Sequence, residues 1–235
     1  MALKINSGSN YSVLSDSSES GLRQYMRSIY NYMAAGLTLT GLVAFFANST
    51  GFYASIAHTP LIWLVLLAPI GIVFFLSFRI QSMSVGAAQA AYWSYAALLG
   101  LSLAGIFSIY TGESISRVFF ITAGTFGGMS LFGYTTKRDL SGFGSFLMMG
   151  LVGIIIAGLV NVFLQSSALQ FVISAIAVIV FVGLTAYDTQ KLKALYAQAG
   201  WQALEGKKEI MGALTLYLDF INLFLTLLRF FGDRR

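Results

Sequence analysis

The chain has no cysteine, one histidine and two prolines in 235 residues, and only 10% of its residues are charged. Without cysteine there are no disulfides, no thiolate chemistry and no Cys-ligated metals. His58 stands alone in a short polar loop, which leaves little material for a His-based zinc site or a Ser-His relay. A soluble domain carries about 25% charged residues, whereas this chain is 57% hydrophobic. The deficit of charge points to a polytopic membrane protein. The net charge of +5 is modest and its basic residues are scattered between apolar runs, so nucleic acid is not an expected partner.

What is present is a series of seven apolar segments, at 29–47, 61–78, 87–109, 118–134, 146–164, 169–187 and 212–231. Each is close to the ~20 residues a helix needs to cross a bilayer. The expected fold class is an all-α integral membrane protein, a seven-helix bundle at 29–231. A flexible cytoplasmic tail is expected at 1–28, polar and Ser-rich without a signal-peptide core, and a short C-terminal tail at 232–235. With the N-terminus inside, ten basic residues (Lys4, Arg23, Arg27, Arg79, Lys137, Arg138, Lys191, Lys193, Lys207 and Lys208) face the cytoplasm. Four, Arg117, Arg229, Arg234 and Arg235, face out. That asymmetry favours a cytoplasmic N-terminus and, with seven spans, an external C-terminus. A re-entrant last segment, with both termini inside, is the alternative. Glycines at small-xxx-small spacing, Gly124 with Gly128 and Gly100 with Ala104, suggest close helix packing.

The last segment is the unusual one. Gly212, Thr215, Asp219, Asn222, Thr226 and Arg229 follow one another at spacings of 3, 4, 3, 4 and 3, which aligns them on one helical stripe. Such a stripe must turn toward protein or water, so this helix is expected at the centre of the bundle. Burying a carboxylate such as Asp219 in a bilayer costs at least ~2.5–3.5 kcal/mol, which makes a functional role the default. Asp188, at the end of the sixth segment with Lys191 one turn on, fits a boundary ion pair as well as a site. If the sixth span leaves the membrane at Lys191 and the seventh enters after Lys208, Asp188 lies ~4 Å deep and Asp219 ~16 Å deep. Contact between them would then need offset helices or a funnel of water. Asn222, Thr215 and Arg79 are candidate ion-path or partner residues, although Arg79 also suits a positive-inside anchor. Asn161 is expected to bond between helices.

Leu216-Tyr-Leu-Asp-Phe-Ile-Asn-Leu-Phe224, followed by Leu227-Leu-Arg-Phe-Phe-Gly232, resembles the last-span signature of the Bax inhibitor-1 family, in its bacterial inner-membrane branch. Ala186-Tyr-Asp188 and Lys137-Arg-Asp-Leu-Ser141 fit the same pattern. The resemblance implies a seven-helix bundle with the last helix central. It also implies a pH-sensitive calcium leak in which Asp188 and Asp219 form a hydrogen-bonded gating pair. Two carboxyl groups in contact cannot both ionise cheaply, so a shared proton would tie the helix contact and transient calcium binding to pH. No cofactor or structural metal is expected. The expected partners are the lipid bilayer, calcium ions, protons and, in some relatives, another membrane protein such as a quality-control protease.

Restraint of such a partner is the alternative function. An intramembrane aspartyl protease is disfavoured: Leu216-Tyr-Leu precedes Asp219 where small flexible residues are needed, and no proline follows Pro69. A retinal photoreceptor would need a lysine in the last span, which is absent. The chain is therefore not expected to be an enzyme.

Overall fold

The computed structural model describes residues 7–199 and 206–235. Among these, nine α-helices follow in order: α1 (Ser7–Ser49), α2 (Phe52–Ala57), α3 (Leu61–Arg79), α4 (Val85–Leu103), α5 (Ile106–Ile109), α6 (Gly112–Thr135), α7 (Ser141–Leu164), α8 (Ser167–Ala199) and α9 (Gly206–Phe231). Seven of them, all but the short α2 and α5, are long and apolar enough to cross a membrane. Their starts are set by local chemistry. Ser84 Oγ accepts the Ala87 N–H ahead of α4, and Thr111 Oγ1 accepts the Ser114 N–H ahead of α6. Each satisfies a donor that the first helical turn leaves free. Gln165 ends α7 in the left-handed region, at φ 50°.

The last helix is the axis. Its apolar window is 72% buried, against 44% for α8 and 28% or less for the other spans. α1, α4, α6 and α8 pack around α9, while α3 leans on α4 and α7 on α8 from outside. At mid-bundle the Tyr217 ring meets the rings of Tyr92 and Tyr95 edge to face, at 6.3 and 5.4 Å. Its hydroxyl pairs with Thr40 Oγ1 at 2.6 Å, and Thr40 in turn donates to the Ala96 carbonyl at 2.7 Å. One buried phenol thus ties α9 to α1 and α4 with its polar atom satisfied.

Two expectations need correcting. The boundary at residue 28 falls inside α1: Tyr25, Met26 and Ile29 are buried at helical spacing, so 19–28 belongs to the bundle rather than to a flexible tail. Residues 1–6 lie outside the described residues. Gly124 and Gly128 do not mediate close packing either, because a Cβ at either would meet nothing within 4 Å. Gly100 does: a Cβ there would fall 2.6 Å from the Thr40 carbonyl oxygen.

Contacts between connections sort the two ends of the bundle. Ser28 donates to Glu209, Lys207 Nζ to the Gln81 carbonyl, and Gln190 Nε2 to the Arg138 carbonyl, all at one face. At the other face Ser108 donates to Asn48 Oδ1 and the C-terminus folds back on the α5–α6 turn. There Thr111 N–H donates to the Asp233 carbonyl and Arg235 N–H to the Ile109 carbonyl. Asp233 N–H bonds Ser114 Oγ, and the Asp233 carboxylate pairs with Arg117 at 2.7 Å. α9 therefore runs the full height of the bundle, and Arg23 and Arg235 lie at opposite ends.

Candidate functional site

α8 continues two turns beyond the expected exit at Lys191, to Ala199, and α9 begins at Gly206. Asp188 then lies 11 residues before the end of α8, or ~16 Å, and Asp219 lies 13 residues after the start of α9, or ~20 Å. Helices that share this end and run in opposite directions bring the two to one level. The depth difference shrinks to ~4 Å because charged, amphipathic residues such as Lys191 and Lys193 extend the helix past its apolar core.

At that level the carboxyl groups of Asp188 and Asp219 lie within hydrogen-bonding reach of each other. Both residues are buried, at 9% and 6% exposure. Asp219 Oδ2 has no hydrogen-bond partner, and with the Tyr196 hydroxyl it makes up the buried, unpartnered side-chain polar atoms among the described residues. An ionised carboxylate only accepts, so a hydrogen bond between two carboxyl groups contains one proton for the pair. The ion pair with Lys191 does not form. Lys191 Nζ lies instead over the Tyr187 ring, 5.8 Å from its centre, and among the described residues Arg117–Asp233 is the ion pair within 4 Å.

Asp188 also faces a cavity of about 380 Å³ that it lines with Tyr25, Lys191, Lys208 and Thr215. The cavity lies between the adjoining ends of α8 and α9 and connects Asp188 to the Arg23 end of the bundle. Asp219 sits behind Asp188 and does not line it. On the far side of Asp219, α9 continues with buried Leu223, Leu227 and Leu228.

The other sequence candidates are distributed more widely. Thr215 reaches the cavity, although its hydroxyl donates to the Met211 carbonyl at 3.0 Å. Asn222 turns from Asp219 and donates to the Leu218 carbonyl at 2.9 Å, and Thr226 donates to the Asn222 carbonyl at 2.7 Å. Arg79 is exposed at the end of α3 and is not brought to the aspartates. Asn161 is buried and bonds Gln170 Oε1 of α8 at 3.2 Å, the interhelical role expected of it. Among the described residues no cluster of three or more His, Cys, Asp or Glu exists that could hold a metal.

Sequence reasoning missed the hydroxyl chain beside the pair. Tyr30 bonds Ser130, Ser130 bonds Thr189 Oγ1 at 3.0 Å, and Thr189 donates to the Thr185 carbonyl at 2.8 Å. The signal was available: Thr185, Asp188 and Thr189 stand at i, i+3 and i+4 on one face of α8.

The family model described as inhibitor of apoptosis-promoting Bax1 matches residues 22–235, which includes both aspartates and every spanning helix. The chain belongs to the Bax inhibitor-1 family. Its relatives match over more than nine-tenths of both chains. The inner membrane protein YbhL of Escherichia coli K12 is 50% identical over 219 residues, covering 92% of this chain and 94% of YbhL. Protein RP147 of Rickettsia prowazekii is 50% identical over 218 residues, 92% of each chain. A Streptococcus pyogenes membrane protein, SpyM3_0260, is 34% identical over 226 residues, 95% of this chain and 98% of its own.

Proposed function

We propose that the protein is a pH-sensitive calcium leak whose gate is the Asp188–Asp219 pair. The observation that carries this reading is the approach of two buried carboxyl groups, one of which, Asp188, lines a cavity open to one end of the bundle. The contact is attractive only while it holds a proton. Removing that proton leaves two anions facing each other between α8 and α9, which changes both the helix contact and the charge offered to an ion. Carboxylate oxygens suit a hard cation such as calcium, and two of them are too few for a closed coordination shell of 6–8 oxygens. A passing ion is a better match than a resident one.

Lys191 and Lys208 at the cavity line oppose cation entry and keep such a leak slow. Thr215 stands along the same route, while Asn222 and Arg79 lie off it. The E. coli relative is an inner membrane protein, and we assign the same location here, with the Arg23 end in the cytoplasm on the strength of the ten-to-four distribution of basic residues.

The test is calcium flux into vesicles that contain this protein alone. Flux above that of empty vesicles, varying with pH, supports the leak. No flux at any pH from correctly folded protein would contradict it and favour the second reading, regulation of another membrane protein. That role would fall to the lipid-facing surfaces of α3 and α7, the least buried spans.

A further inference from the structure

A larger cavity, of about 960 Å³, lies apart from the aspartates between α1 and α6. α9 closes its floor with Phe220, beside buried Met33, Phe126 and Ser130. Its walls are exposed: Ala34, Thr38 and Gly41 on α1 face Gly127 and Leu131 on α6. The groove therefore opens sideways, toward the bilayer rather than toward either end. From Arg23 to Leu42 it follows α1 for 19 residues, about 29 Å, which matches the ~30 Å hydrocarbon core.

The chemistry of the groove differs along its length. Most of it is apolar, but Arg23 and Arg27 stand one turn apart at one end, both exposed, with Tyr134 across from them. Among the described residues neither arginine has a carboxylate within 4 Å, although Glu19 lies one turn before Arg23. Two guanidinium groups at a membrane face, above an apolar channel open to lipid, complement one kind of molecule. The phosphate takes the charge-assisted hydrogen bonds, and an acyl chain fills the channel.

We propose that the α1–α6 groove is a binding site for one anionic phospholipid, its headgroup on Arg23 and Arg27 and an acyl chain laid against Phe126 and Phe220. The site stands independently of the calcium reading, since it shares neither aspartate.

The test is native mass spectrometry of the full chain in mild detergent, titrated separately with phosphatidylglycerol and phosphatidylcholine of identical acyl chains. One phosphatidylglycerol is retained about thirtyfold more tightly than phosphatidylcholine, the contribution of two surface cations. The double variant Arg23→Gln/Arg27→Gln brings phosphatidylglycerol down to the phosphatidylcholine level. Gly127→Leu weakens both lipids severalfold by filling the groove, while its neighbour Gly128→Leu, outside the groove, weakens neither. A Cβ at either glycine meets nothing within 4 Å, so neither substitution begins with a clash, and unchanged thermal unfolding in detergent is the expected control for both. Equal retention of the two lipids, retention of neither, a preference that survives loss of both arginines, or equal effects of the two leucines would each overturn the proposal.

Discussion

Gly133 of α6 rests against the backbone of Ala186 in α8 so closely that a Cβ at Gly133 would fall 2.1 Å from the Ala186 carbonyl oxygen. The obstacle is backbone, which cannot turn away as a side-chain tip can. Ala186 lies two residues before Asp188, so this contact fixes the height at which α8 presents its aspartate. Gly133→Ala is expected to cost about 1–3 kcal/mol by overpacking. Gly128→Ala on the same helix, with open space at its Cβ, is expected to be neutral or slightly stabilising, by up to about 1 kcal/mol from helix propensity. Thermal unfolding in detergent separates them. Equal melting temperatures would mean that the helices are not in contact there.

Tyr217 offers a test of the central packing. Tyr217→Phe keeps the ring against Tyr92 and Tyr95 and removes only the hydroxyl, while Thr40 keeps its bond to the Ala96 carbonyl. The expected loss is about 0.6–1.7 kcal/mol, the range for hydrogen bonds between membrane helices. Tyr217→Ala removes the ring as well and is expected to lose about 3–5 kcal/mol. A Phe variant as unstable as the Ala variant would show that the hydroxyl, and not the aromatic cluster, holds the centre.

In the α6–α7 turn the Ser141 hydroxyl and the Ser141 N–H, the latter at 2.9 Å, hold the Asp139 carboxyl below the usual aspartate value. A carboxyl whose folded value is depressed contributes its stabilisation above the unfolded value and loses it as pH falls through the folded one. Asp139 is fully exposed, so the titration itself is the readout. Carboxyl ¹³C shifts should give a midpoint below that of a model aspartate, and Ser141→Ala should raise it. A midpoint unmoved by Ser141→Ala would remove the turn's hydroxyl as the cause.

The C-terminus lies at the end of the bundle opposite Arg23, pinned to the α5–α6 turn by Asp233 and Arg235. With the Arg23 end cytoplasmic, a periplasm-dependent reporter fused after Arg235 should be active, and one that works only in the cytoplasm should be silent. The reverse activity would invert the assigned orientation.

The fold was legible because a bilayer admits few solutions: seven runs of suitable length, and one polar stripe that lipid would not accept. The stripe identified the axial helix, although it overstated what the stripe does. Gly212, Asp219 and Thr226 are buried, while Arg229 is exposed at the helix end and Asn222 bonds its own backbone. The pairing of Asp188 with Asp219 was not legible from hydropathy, which ends a span where charges begin. α8 continues through Lys191 and Lys193 because a helix does not stop at a membrane boundary. Lys193 Nζ, for example, donates to the Tyr134 carbonyl at 2.9 Å. The role of each glycine was illegible too, since spacing alone does not say which face of α6 meets a neighbour and which meets lipid.

The most direct test of the account is the pH profile of calcium flux through reconstituted Asp188→Asn, Asp219→Asn and the double variant beside the unaltered protein. Asparagine keeps the shape and hydrogen-bonding capacity of each side chain and removes the shared titration. The bundle should assemble in all three, because the packing of α9 against α1, α4 and α6 does not involve the carboxyl groups. If the aspartates act as one unit, each single variant flattens the pH dependence and the double variant adds little to either. If Asp188→Asn keeps the original profile while Asp219→Asn alone alters it, the pair is not the gate.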